Sequence, residues 1–183
     1  MTAHWRPATK TAAGIEAGRP PLSVIIRPLT AGDIPAARRL IVSVACEVYA
    51  WGVPVDEMAR RFDARGELRD VDDALAHYFG RRGLFLVAVD GDQLVGTAGV
   101  RQIDAEVCEL KRMWLLKEYR GRKLGYTLVR QLQAFAREAG YRAMRLTTAL
   151  KVQQPAIAFY RRLGFREVAV IPEKNDVIME QAL

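Results

Sequence analysis

The segment Arg120-Gly121-Arg122-Lys123-Leu124-Gly125 is where residue type and spacing most plainly suggest chemistry. It stands between a strand-like and a helix-like stretch. A helix N-terminus presents unpaired N–H groups and a positive dipole end, so it takes anions. Gly121 and Gly125 allow close backbone approach, and Arg120, Arg122 and Lys123 add charge. A phosphate or pyrophosphate suits such a cradle; the plain alternative is a solvated basic loop. The spacing matches neither the P-loop nor the G-x-G-x-x-G dinucleotide fingerprint. Metal and disulfide chemistry find no support. Cys46 and Cys108 are too few for a framework, and His4 and His77 are isolated, so no metal site is expected.

The elements that must position this loop are legible from hydrophobic pattern. The chain has 183 residues, 50% of them hydrophobic and 27% charged, which suits one soluble domain. No run approaches the roughly 20 apolar residues of a membrane helix, so no membrane association is expected. Residues 1–22 are rich in Thr, Ala, Gly and Pro, with Arg6, Lys10 and Arg19 against Glu16. They predict a disordered basic tail and lack the apolar core of a secretory signal. Order is expected from Ser23 to the C-terminus as a single domain. Residues 23–28 read as a strand. Thr30 to Asp33 fits a helix start, with Ile34, Ala37, Ile41, Val44 and Val48 as its stripe to about Tyr49. Residues 56–69 resist assignment, and 72–79 read as a second helix.

Three strands follow at 84–89, 93–101 and 106–116. Strict alternation on the third puts Val107, Glu109, Lys111 and Met113 on one face. Cys108, Leu110, Arg112 and Trp114 then share the other. A helix is predicted over 125–139, a strand over 141–149, a helix over 155–163, and a closing strand pair over 165–171 and 177–182. The result is an α/β fold, a mixed sheet flanked by helices.

The stretch from Glu109 to Gly125, the helix after it, and Phe159-Tyr-Arg-Arg-Leu-Gly-Phe165 together resemble the GCN5-related N-acetyltransferase (GNAT) family over roughly residues 84–171. The resemblance implies the acyl-CoA N-acyltransferase fold, with a mostly antiparallel central sheet. It implies acetyl-CoA as co-substrate and transfer of the acetyl group to an amine. The strand backbone at Met113, Trp114 and Leu115 would then bind the acyl arm. The loop matches the family's R/Q-x-x-G-x-G/A pattern at Arg120 and Gly125. Its amides, from Gly121 through Arg122, Lys123 and Leu124 to Tyr126, would bind the pyrophosphate. Two positions depart from the family. Lys123 stands where Gly is usual, and either reaches a phosphate or points to solvent. Gln153 stands near a usual Asn and is a substitute for its amide contact.

Tyr160 matches the tyrosine that many members place near the coenzyme sulfur, which implies a general acid for the departing thiolate. The alternative is an aromatic packed under the last strands. Glu109 matches a strand glutamate of some members and is the candidate base for an arriving ammonium. Its alternative is an ordinary carboxylate paired with Lys111 or Arg112. Neither cysteine sits in a nucleophile motif, so direct attack on the thioester is expected.

For the acceptor, the resemblance points to Tyr49, Trp51, Asp56, Glu57 and Tyr78, aromatics and acids suited to a cationic amine. Small amines, amino acids, antibiotics and protein amines all fit. Two rival readings remain: an idle acyl-CoA-sensing relative, and a nucleic-acid-binding module motivated by the net charge of +7. No nucleic-acid motif supports the second. A cytoplasmic location is expected, and a homodimer is left open because relatives often dimerise.

Overall fold

The computed structural model describes residues 23–183; the predicted tail lies outside them. Seven strands form one sheet: β1 (Ile25–Pro28), β2 (Leu84–Asp90), β3 (Gln93–Gln102), β4 (Val107–Leu115), β5 (Ala143–Ala149), β6 (Arg166–Ile171) and β7 (Asp176–Ala182). Their spatial order is β1-β2-β3-β4-β5-β7-β6. Only the central β4–β5 pair is parallel; the other five pairings are antiparallel. This is the mixed, mostly antiparallel sheet that the sequence implies.

Helices cover both faces. On one lie α1 (Ile34–Tyr49), α2 (Val55–Arg65) and two single turns, α3 (Arg69–Asp72) and α4 (Ala74–His77). On the other lie α5 (Leu124–Glu138) and α6 (Gln154–Arg162). The core is accordingly double. Leu128, Leu132 and Ala136 of α5 meet Leu86, Val100 and Leu110 of the sheet. Ala37 and Ile41 of α1, with Met58 and Phe62 of α2, meet Phe85 and Val87. Among the described residues, no helix is long and apolar enough to cross a membrane.

The entry to α1 follows its sequence signal. The Thr30 backbone amide and hydroxyl both donate to Asp33 Oδ2, at 2.8 and 2.7 Å. Arg27 adds two bonds of 2.6 and 2.8 Å to the same carboxylate. These contacts hold the Asp33 carboxyl well below its usual range, with the Arg27 bond the largest influence.

Two stretches of the first half differ from the sequence reading, one left unassigned and one expected as a single helix. The unassigned stretch forms α2, whose buried face rests on Met58 and Phe62 alone, one turn apart. The helix expected over 72–79 is broken at Asp73, whose extended φ of −117° ends α3 while its carboxylate caps α4 through the Ala76 amide.

A third correction concerns β4. Against β3, Thr97 opposes Trp114 but Gly99 opposes Lys111, so one extra residue is accommodated on β4. Arg112 takes a left-handed φ of 54° there. Such a bulge reverses the alternation beyond it. Met113 and Leu115 therefore join Cys108 and Leu110 on the α5 side, whereas Trp114 packs on the α1 side. Strict alternation had Met113 on the opposite face from Cys108.

Candidate active site

The parallel β4–β5 pairing lasts only from Val107 opposite Ala143 to Glu109 opposite Arg145. Beyond it β4 stays with β3, and β5 stays with β7. The two strands diverge, and the β5-facing edge of β4 has no strand partner past Glu109. A cavity of about 950 Å³ opens beside this split. Its walls are the bulged end of β4 at Met113, Trp114 and Leu115, the start of α5, one face of α6, and the last turns of α1 at Val44, Glu47 and Val48.

The start of α5 forms the anion-facing wall. Lys123 caps the helix with φ 61° and ψ 0°. This left-handed geometry explains the glycine usual in the resembled pattern, and it costs a side-chain-bearing residue about 1–2 kcal/mol. The first helical bond runs from the Thr127 amide to the Lys123 carbonyl, so the amides just before it face out of the helix end. Gly125 lets the helix press on β4: a Cβ there would stand 2.9 Å from Met113 Cε and 3.2 Å from Leu115 Cδ1. Leu124 is buried in the core beneath the loop. Gly121, Lys123 and Tyr126 all line the cavity. Arg122 and Leu124 do not.

Arg120 also lines the cavity but is engaged elsewhere. Its Nε donates to the Leu115 carbonyl at 3.0 Å, and its guanidinium meets the Glu47 carboxylate at 2.8 Å. Among the lining residues Arg120, Lys123 and Arg162 are cations, and Glu47 is the acid. Gln153 faces the same space and donates to the Tyr49 hydroxyl at 2.7 Å. The last turn of α1 is thus tied to both sides of the cavity, through Glu47 and Tyr49.

Tyr160 is buried on α6 yet lines the cavity. Among the described residues its hydroxyl has no hydrogen-bond partner, and burial pushes its pKa up. It is a phenol that stays protonated at neutral pH. Phe159 and Phe165 flank its ring at 5.3 and 5.7 Å.

Glu109 stands apart from this group. It sits at the end of the parallel pairing and does not line the cavity. Arg101 Nε donates to it at 2.9 Å, and Lys111 Nζ lies 4.0 Å away. Burial lowers the Lys111 pKa, with Glu109 opposing that shift. Arg112, the alternative partner considered for Glu109, pairs with Asp70.

The acceptor-side residues are only partly assembled. Tyr49 and Trp51 stack at 5.0 Å with rings 7° apart. Asp56 and Glu57 instead form exposed pairs with Arg39 and Arg61. Tyr78 is fully buried in the α1-side core, where its hydroxyl donates to Asp70. It is therefore a core residue and not an acceptor contact. Glu47 was missed because it interrupts no pattern: it follows the stripe residue Val44 by three positions, where a polar side chain reads as solvated. Both cysteines are free; burial raises the Cys46 thiol and pushes the Cys108 thiol up to about 12. No group of His, Cys, Asp and Glu suited to a metal occurs among the described residues.

The family model described as "Acetyltransferase (GNAT) family" matches residues 51–165. The chain is 30% identical over 152 residues to an uncharacterized N-acetyltransferase, YjgM, of Escherichia coli (strain K12), covering 81% of this chain and 85% of that one. It is 34% identical over 104 residues to N-acetyltransferase 8 of Rattus norvegicus, covering 54% of this chain and 46% of the relative. Among solved structures, the PaiA N-acetyltransferase of Thermoplasma acidophilum, in complex with coenzyme A, superposes with a TM-score of 0.73 at 23% identity. That match covers 88% of this chain and all of the other.

Proposed function

The chain belongs to the acetyltransferase (GNAT) family and is an acyltransferase, and from that premise we propose that it is an acetyl-CoA-dependent N-acetyltransferase acting on a primary amine of a small molecule or peptide. The observation that carries this reading is the shared lining of one cavity. Met113, Trp114 and Leu115 at the open edge of β4, Lys123 and Gly125 at the start of α5, and Tyr160, whose hydroxyl bonds no described residue, all line it. The cations Arg120 and Lys123, with the helix dipole, suit a pyrophosphate. Charge-assisted hydrogen bonds are worth about 1.5–3 kcal/mol each, and several reach micromolar affinity.

The amine nitrogen attacks the thioester carbonyl carbon, and the C–S bond breaks. Backbone amides of β4 at Met113 and Leu115 stabilise charge on the carbonyl oxygen. Tyr160 gives its proton to the departing sulfur, and the second proton, which the nitrogen sheds to water as the amide forms, restores the phenol through solvent. Glu109 accepts the proton that the ammonium must lose. Because its carboxylate lies outside the cavity lining, that transfer runs through water. Gln153, which lines the cavity and is held by its bond to the Tyr49 hydroxyl, offers its side-chain amide to the cofactor.

Calorimetric titration with acetyl-CoA tests the reading, with CoA and ATP as controls. Micromolar binding of both CoA forms and no response to ATP is the expected result. A panel of amines should then release thiol from acetyl-CoA. Absence of binding to either CoA form overturns the proposal. Binding with no amine-dependent thiol release would leave the idle acyl-CoA-binding alternative in its place.

A further inference from the structure

Arg112 occupies the left-handed region inside a strand, where a residue with a Cβ persists only if its surroundings over-determine it. Glycine would adopt that φ freely. Arginine adopts it under four constraints. Its Nε and one terminal nitrogen donate to the two Asp70 oxygens at 3.0 and 2.7 Å. The same nitrogen donates to the Glu67 carbonyl at 2.6 Å. On the opposite side, the Thr97 hydroxyl donates to the Arg112 carbonyl at 2.7 Å. Asp70 is itself only 7% exposed, and Tyr78 donates to it at 2.6 Å.

An ion pair with Asp70 buried and Arg112 half-buried is weak evidence for stability. Burying two charges costs several kcal/mol each before their attraction offsets it, and apolar replacements often do as well. What the pair does provide is location. Asp70 lies on α3, 42 positions earlier in the chain, and anchors the one residue whose conformation reverses the alternation of β4. Without that reversal Met113 and Leu115 would not face the cavity beside Gly125.

We propose that Asp70 is a positioning residue for acyl transfer: by gripping Arg112 it fixes the bulge that aims the Met113–Leu115 backbone at the thioester carbonyl. This rests on the acyl-CoA reading above. Asp70 touches no substrate; it acts through Arg112. A glycine bulge would allow the same path but leave the strand edge free to shift, and misplacement by about 1 Å can cost 100-fold in rate.

The test uses the carbon-13 signal of [1-13C]acetyl-CoA bound to the full chain. In the wild type, hydrogen bonding to β4 should displace the thioester carbonyl signal from its position in free acetyl-CoA. Asp70→Asn should return it at least halfway while the Kd for CoA stays within twofold, because the α5 cradle is untouched. Amine-dependent kcat should fall tenfold or more. If Asp70→Asn does not fold, Thr97→Val carries the test, since it removes only the bond to the Arg112 carbonyl. It should move the signal in the same direction by a smaller amount. A variant that folds, loses thermal stability and keeps the wild-type signal shows a merely structural role and overturns the proposal. So does an unmoved signal in Thr97→Val when Asp70→Asn is unfolded. Failure of the wild type to bind CoA is a different result and removes the acyl-CoA reading itself.

Discussion

Glu47 is the acid among the residues lining a cavity that we assign to a polyanion, and it holds Arg120 at 2.8 Å. Replacing it by Gln should tighten CoA binding. The pair is more than a third exposed on both sides, so breaking it costs the free protein about 0–1 kcal/mol. The larger effect is removal of a like charge from beside the pyrophosphate. Two charges about 8 Å apart in water repel by about 0.5 kcal/mol, so a doubly charged pyrophosphate feels about 1 kcal/mol. That is about fivefold in Kd. Salt screens it: with a Debye length of about 8 Å at 0.15 M and 30 Å at 0.01 M, the gain should fall from about fourfold at low salt to about twofold. Calorimetry on Glu47→Gln at both salt concentrations measures this, with pantetheine as the control. Pantetheine keeps the thiol arm but lacks the pyrophosphate, and its affinity should not change. Unchanged or weaker CoA binding at low salt would refute the reasoning. It would mean that Glu47 helps by holding Arg120 in place. A gain that pantetheine shares would place the effect on the arm and not on the phosphates.

Tyr160→Phe removes a hydroxyl that no described residue bonds, so the melting temperature and the Kd for CoA should be unchanged while kcat falls about 100-fold. Equal losses in kcat and affinity would remove Tyr160 as the acid. Glu109→Gln should lower amine-dependent turnover about tenfold or more while the Kd for CoA holds; unaltered turnover excludes it as the base. Lys123→Gly should relieve about 1 kcal/mol of left-handed strain, offset by a similar gain in unfolded-chain entropy. Its melting temperature should therefore hold, while CoA binding weakens severalfold at low salt. Unweakened binding puts the Lys123 charge in solvent. Asp33→Asn should destabilise the protein by about 1 kcal/mol at pH 7, measured by urea unfolding. The folded-state pKa of Asp33 is depressed, so its contribution is present above the unfolded value of about 3.9 and is lost as pH falls below it. The gap to wild type should therefore narrow by pH 3; an equal gap at both pH values contradicts the assignment.

The legible parts of this chain were those with redundant signals. The helix of α5 carries a full apolar stripe between a basic loop and Gly140, and the strands β2 and β3 carry hairpin spacing, so both emerge near their true bounds. Helix α2 was hidden because two anchors, Met58 and Phe62, are too few to mark a stripe among nine other residues. The bulge was hidden for a sharper reason. A left-handed position is announced in sequence by glycine, and here the residue is arginine, stabilised by an aspartate that is remote in the chain. Pattern reading sees local preference, and this position is set by a tertiary contact that overrides it. Lys123 is a second left-handed position without a glycine to announce it, and it stands in the cavity wall. Local rules are therefore broken at two points that line or aim the candidate site. At both, the side chain in the glycine-like position is a cation, and at Arg112 it adds a grip on Asp70 that glycine lacks. Ala50, Arg82 and Asn175 share that backbone conformation without lining the cavity, so a left-handed position alone marks no site; what singles out Arg112 is the remote carboxylate that holds it.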